Sequence, residues 1–186
     1  MGFYIGLVHY PVYNKHGETI ASAVTTLDLH DLARLARTYE VDRCFVVTPL
    51  EDQQRLAERV KAHWTDGYGA LYNPNRKEAL ELLTICGTLK EAKDTITLQE
   101  GRSPLVLATD ASPEGVKTLG YQEARGMLER AGGVFLLFGT AWGLEARSMA
   151  EADFVLEPVR GRGEYNHLSV RAAAAIILDR LLGRDG

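Results

Sequence analysis

The sequence predicts an α/β domain built on a mostly parallel sheet. Three observations carry that expectation. Short apolar runs alternate along the chain with amphipathic stretches of helical period. The order is strand, helix, strand, which suits parallel pairing rather than hairpins. Three of the later apolar runs empty into loops of small, Gly-rich or Pro-containing sequence, the pattern of strand ends where such sheets bind ligands.

In chain order, Phe3 to Tyr10 (FYIGLVHY) is a buried first strand closed by Pro11, and Tyr13 to Gly17 is a loop. Asp28 can cap a helix whose apolar face is Leu29, Leu32, Ala33, Leu35 and Ala36, with Asp31 three residues on. Arg43 to Thr48 is a second strand stopped by Pro49, and Glu51 to Trp64 follows as a helix with Leu56, Val60 and Trp64 in one stripe. A polar stretch from Gly67 to Asn75 leads into helical patterns over Arg76 to Leu83 and Leu89 to Ile96. Leu105 to Ala108 is a strand ending on Thr109-Asp110-Ala111. Gln122 to Ala131 is a helix stopped by Gly132-Gly133, and Val134 to Phe138 is the most apolar strand. Asp153 to Leu156 is a last short strand before Pro158, and a helix from about Ser169 to Leu182 closes the chain, capped by Ser169 or Asn166.

The chain has 186 residues, long enough for one core without staples, and residues 1–186 read as a single domain. Apolar residues make up 46% and charged residues 25%, the composition of a folded protein rather than a disordered one. No stretch approaches the roughly 20 apolar residues of a membrane span, and the start lacks both a secretory signal and a myristoylation motif. Cys44 and Cys86 form no CxxC pair and read as reduced, buried thiols in a cytoplasmic protein. Lys and Arg number 21 against 25 Asp and Glu, a net charge of −4, which excludes a polycationic nucleic-acid binder. It leaves room for a nucleic-acid enzyme with a local basic face, because steering depends on where charges sit.

Several familiar chemistries are missing. Nothing matches GxxxxGK[ST]. Gly161-Arg162-Gly163-Glu164-Tyr165-Asn166 begins like GxGxxG but ends on Asn166, which removes the dinucleotide fingerprint of a Rossmann oxidoreductase. His9, His16, His30, His63 and His167 have no zinc-ligand spacing, and no metal is expected. Asp28, His30 and Asp31 form an acid–His cluster that capping and a polar contact explain.

What remains is the set of strand-end loops and the final helix. Tyr165 to Leu181 (YNHLSVRAAAAIILDRL) starts a helix whose Val170, Ala173, Ala174 and Ile177 form an apolar stripe, and its four alanines admit a close backbone neighbour. With Phe138-Gly139-Thr140-Ala141-Trp142-Gly143-Leu144 and the loop after Leu156, this segment resembles the SPOUT superfamily of S-adenosylmethionine-dependent RNA methyltransferases. Further runs (Leu7 to Val12, Asp28 to Arg34, Thr38-Tyr39, Val47 to Leu50 and His63-Trp64) resemble one bacterial family within it. That family comprises SAM-dependent RNA methyltransferases related to the tRNA guanine-N1 enzymes.

The resemblance implies a deep trefoil knot in the C-terminal part, roughly residues 139–182, although knots are otherwise nearly absent from proteins. It implies a homodimer with the cofactor pockets near the interface, and S-adenosyl-L-methionine as cofactor. Carried over by position, the donor pocket uses Leu107, Ala108 and Thr109, then Gly139, Thr140, Ala141 and Trp142. Leu156, Val159, Asn166, His167, Leu168 and Ser169 complete it, with Leu156 and Leu168 packing on the adenine. If the acceptor is a guanine N1, a base must take its proton, and Asp110 stands at the right strand end. Arg171 is a second catalytic candidate that could bind the acceptor or pair with Glu164, and Arg160 and Arg162 are candidate phosphate contacts. Gly139→Val is expected to abolish donor binding. A tRNA or rRNA is the expected partner, gripped through the dimer surface or with a helper. The second reading is a dimeric module that binds the cofactor or a related nucleoside without transfer.

Overall fold

The computed structural model describes residues 2–184 except Glu114 and Glu129, so Glu129 of the predicted 122–131 helix and the extreme termini lie outside the described residues. The elements are β1 (Gly2–Val8), β2 (Val12–Tyr13), β3 (Thr19–Ile20), α1 (Thr26–Thr38), β4 (Arg43–Val47), α2 (Glu51–Thr65), α3 (Tyr68–Tyr72) and α4 (Pro74–Glu81). Then follow β5 (Leu83–Cys86), α5 (Leu89–Glu100), β6 (Leu105–Ala108), β7 (Thr118–Leu119), α6 (Tyr121–Leu128), β8 (Gly133–Gly139), α7 (Ala146–Ala150), β9 (Phe154–Leu156) and α8 (Val170–Leu182).

Seven strands form one sheet in the order β5-β4-β1-β8-β6-β9-β7. Every pairing in it is parallel, as the strand–helix order predicts. β8 lies at the centre, with Gly2 to Val8 of β1 in register with Gly133 to Gly139 on one side and β6 on the other. Its VFLLF run is buried on both faces, which is why it reads as continuous apolar sequence without alternation.

Two cores flank the sheet. On one face Phe3, Ile5, Leu7, Val134 and Leu136 pack under Leu29, Leu32 and Ala36 of α1, Leu80 of α4, Leu128 of α6 and Ile177 and Leu181 of α8. On the other, Tyr4, Val8, Phe45, Phe135 and Leu137 pack under Ala92 and Ile96 of α5. Phe135 meets Phe45 edge-on, with ring centroids 5.6 Å apart. Cys44 and Cys86 are free thiols, and burial pushes each up to about 12, so neither is a nucleophile at neutral pH.

The structure departs from the sequence expectation in a few places. Thr25, not Asp28, caps α1: its hydroxyl accepts from Asp28 N–H at 3.1 Å and donates to Asp28 Oδ2 at 2.6 Å. Asp28 sits in the first turn, where its charge also suits the helix dipole. The helix expected over 76–83 keeps its eight residues but lies two residues earlier. Asn73 caps α4, with Pro74 at its first position, and Leu83 already belongs to the unpredicted edge strand β5. The loop expected at Tyr13 to Gly17 is the tip of a small antiparallel hairpin, β2–β3.

Candidate active site at the carboxyl edge of the sheet

β8, β6 and β9 are neighbours in the sheet, so the loops that follow them emerge side by side at its carboxyl edge. The first is tied down at once. Thr109 donates from its N–H and its hydroxyl to Leu137 O, at 3.2 and 2.8 Å, and Asp110 Oδ1 accepts from Ser112 N–H at 2.7 Å. Leu107 and Ala108 are fully buried in β6, so they can offer a ligand only backbone.

The loop after β8 is folded onto the hairpin. Trp142 N–H donates to Tyr13 O and Tyr13 N–H to Gly143 O, both at 3.0 Å, and Leu144 bridges Val12. The turn needs a left-handed backbone at Ala141 (φ 52°) and at Gly143 (φ 100°), an uncommon conformation for alanine. A Cβ on Gly139 would come within 2.6 Å of Leu144 N and 2.9 Å of the Gly143 carbonyl carbon. The loop's own closure therefore requires this glycine. Trp142 itself stands 64% exposed.

Beneath this loop a hydrogen-bonded chain links three elements. Thr140 hydroxyl donates to Val8 O at 2.9 Å, so Ser22 hydroxyl donates to Thr140 Oγ1 at 2.5 Å and His9 Nδ1–H to Ser22 Oγ at 2.9 Å. That order of donors places a proton on Nδ1, and Nε2 is buried with no partner among the described residues for a second, which keeps the imidazole neutral. Burial pushes the His9 pKa down to about 4, against a smaller opposing pull from Asp28. Sequence reasoning missed this chain, because no local motif joins His9, Ser22 and Thr140.

The third loop, residues 157–169, runs from β9 to α8. Asn166 Nδ2–H donates to Ala111 O at 2.8 Å and so joins the third loop to the first. Leu156 is 1% exposed, its side chain in the core, and is closed to an adenine ring; Val159 packs on the same core. Leu168 (47% exposed) and Tyr165 present free apolar surface, with His167 edge-on to Tyr165 at 5.2 Å. Ser169 caps α8, accepting from Ala172 N–H at 3.2 Å, so of the two possible caps it is Ser169. Arg160 and Arg162 are exposed and without an ion pair among the described residues.

Arg171 does not pair with Glu164. Its Nε lies 3.1 Å from Asp28 Oδ1 and its NH1 3.2 Å from Asp31 Oδ2, clamping the first turn of α8 to the first two turns of α1. The same contacts dispose of the Asp28–His30–Asp31 cluster, whose two carboxylates serve the arginine. Arg171→Met is therefore expected to cost about 1–3 kcal/mol in urea unfolding, because Asp28, with only 13% of its side chain exposed, loses its counter-charge. Arg171→Lys should recover only part, since one ammonium cannot meet two carboxylates as a planar fork does. Unchanged stability with lost turnover would instead mark Arg171 as a catalytic residue.

Two cavities open elsewhere on the domain, the second reaching the end of the third loop at Ser169. One of about 830 Å³ opens at the opposite, amino edge, between Pro104, Met127 and Asp153. Another of about 500 Å³ runs between α1 and α8, lined by Leu35, Thr38, Arg171, Ala172 and Ala175.

Residues 2–183 match the family model for SAM-dependent RNA methyltransferases. The chain belongs to that family. A tRNA (guanine-N(1)-)-methyltransferase of Oleidesulfovibrio alaskensis is 45% identical over 180 residues, 97% of this chain but 42% of that protein. The chain thus spans less than half the length of this curated relative. An uncharacterized protein of Aquifex aeolicus is 40% identical over 185 residues, 98% of this chain and 89% of its own length. Among solved structures, a probable methyltransferase of Bordetella pertussis superposes with a TM-score of 0.65 at 18% identity, covering 96% of this chain and 93% of the other. At that identity the likeness shows a shared fold.

The family's cofactor can be tested against the three loops. Trp142 in the loop after β8 and Leu168 in the loop after β9 are exposed apolar side chains, and Asn166 holds the first and third loops together. That combination of apolar platforms and accessible backbone suits an adenosine moiety.

Proposed function

We propose that this chain transfers a methyl group from S-adenosyl-L-methionine to a tRNA or rRNA in the cytoplasm. The observation that carries the reading is a family match over residues 2–183 that takes in all three loops at the carboxyl edges of β8, β6 and β9. When bound, the cofactor supplies an activated methyl group. The residues of the chain bind and orient it: backbone groups of Leu107, Ala108 and Thr109, the turn Gly139-Thr140-Ala141-Trp142, and Val159, Asn166, His167, Leu168 and Ser169. Leu156 supports the pocket from the core. Asp110 has one carboxylate oxygen held by Ser112, which fixes the group and leaves the other oxygen for a proton from the acceptor. Arg160 and Arg162 would meet phosphates. Arg171 is a positioning residue that sets α8 against α1.

Two further features belong to this reading. The chain leaves the sheet after β6 and re-enters it at β7 with β9 between the two strands, and the segment leaving β9 touches Ala111, just beyond β6, through Asn166. This arrangement supports a C-terminal trefoil knot. The small side chains Ala172 and Ala175 beside the α1–α8 groove support close packing of a second copy there.

Calorimetric titration with S-adenosylmethionine and with S-adenosylhomocysteine tests the site, with about one saturable site per protomer expected. Transfer of labelled methyl to unfractionated tRNA and rRNA then tests the activity. Binding without transfer would favour the non-catalytic module, and no binding of either compound would overturn the donor site.

A further inference from the structure

The domain carries a net charge of −4, yet cations gather where α1, α2, α3 and α4 meet. The hub is the half-buried Trp64. Arg76 lies over its indole ring, 4.5 Å from the centroid, while His63 and His30 meet the ring edge-on at 5.1 and 5.5 Å. Gly69 brings the short helix α3 against the same ring, since a Cβ there would stand 2.7 Å from a Trp64 ring carbon. α3 then presents Tyr68 and Tyr72 outward, stacked on each other at 6.2 Å and 23° and exposed by 74% and 75%. Exposed Arg59 lies one turn before His63 on α2.

The carboxylates of these elements are mostly engaged elsewhere. Asp31 goes to Arg171, Glu78 to Arg37, and Asp66 accepts from Thr65, whereas Arg59, His63 and Arg76 have no ion pair among the described residues. Glu58 is the unengaged acid of α2. The neighbouring cations are close enough to His30 to hold its pKa down, with burial the larger cause.

We propose that this surface, the Tyr68–Tyr72 pair with Trp64, Arg76, His63 and Arg59 around it, grips single-stranded RNA of the substrate. Unstacked bases have a π-face for each exposed tyrosine, and the phosphates between them meet the arginines and His63. A second copy docked patch to patch would set these cations against one another, which opposes self-association through this face. The proposal rests on an RNA substrate for this domain, and it places the grip on the flank formed by α1 to α4, distinct from the donor loops.

The test compares wild type with Tyr68→Ala/Tyr72→Ala and with Arg59→Glu, using fluorescently labelled unfractionated tRNA. The double variant should lose at least ten-fold in tRNA affinity, while S-adenosylmethionine affinity and the unfolding midpoint stay at wild-type values. Arg59→Glu should weaken tRNA binding several-fold and reduce the slope of log affinity against log salt by about one. Unchanged tRNA affinity in both variants overturns the proposal, as does a wild type that binds neither tRNA nor rRNA. A double variant that dissociates from dimer to monomer at constant tRNA affinity also overturns it, in favour of a second copy as occupant. Tyrosine-dependent tRNA binding in a protein that binds no S-adenosylmethionine would leave this surface standing and remove the donor site instead.

Discussion

Gly139→Val should lower the affinity for S-adenosylmethionine by at least ten-fold and destabilise the domain by about 1–3 kcal/mol. The added Cβ meets backbone at 2.6 Å, not a flexible side-chain end, so the Thr140–Leu144 turn must move as a unit. That turn is held by the Trp142, Tyr13 and Gly143 hydrogen bonds, and shifting it breaks their register with the β2–β3 hairpin. Gly139→Ala should show the same losses in milder form. Gly161→Val, where a new Cβ meets nothing within 4 Å, should leave unfolding unchanged. Thermal unfolding together with calorimetric titration separates two mechanisms. Lost affinity at full stability would mean the ligand itself needs the space beside Gly139; joint loss means the turn does.

Acid should destabilise the fold through His9. Its folded-state pKa of about 4 is depressed below the ordinary 6.5, so between those values the unfolded chain binds the proton that the folded one refuses. The contribution is full above pH 6.5, about 3 kcal/mol, and most of it is lost as pH falls to 4. The physical cause is the buried Nε2 with no acceptor to receive a proton. His9→Asn keeps a donor for Ser22 and cannot titrate. Urea unfolding at pH 7.5 and 4.5 should therefore show a smaller pH difference in the variant than in wild type. Equal differences would mean that Nε2 finds a partner when protonated. His30, also lowered, adds to the trend in both proteins and cancels in the comparison.

Much of this architecture is legible because its signals are local. The runs FYIGLVHY and VFLLF announce strands buried on both faces, and a serine one residue before Val170-Arg171-Ala172 announces a cap. β5 escapes because it is an edge strand of four residues, mostly half-buried, whose Thr84 and Cys86 give no strong alternation. β7 has two residues, too few for any period. Thr25 is overlooked in favour of Asp28 because both are good caps, and only the backbone shows which one stands outside the helix. At the site, the family motifs mark the three loops, but Asp31, one partner of Arg171, lies 140 residues away and the His9–Ser22–Thr140 chain spans much of the sequence. Contacts of that range follow from strand order, and strand order here depends on a late strand entering the middle of the sheet.

That late entry bears on how the protein is made. β1 leaves the ribosome well before β8 and can pair with β4 early, but its other edge faces β8, whose register runs from Gly133 to Gly139. Until that segment emerges, an apolar strand edge stays open to any nascent chain nearby. The sheet is thus dominated by contacts of long sequence separation, which slows folding and lengthens the interval of exposure. Rapid synthesis at high temperature should favour aggregates, and a chaperone that shields β1 until residue 139 is available should raise the soluble yield.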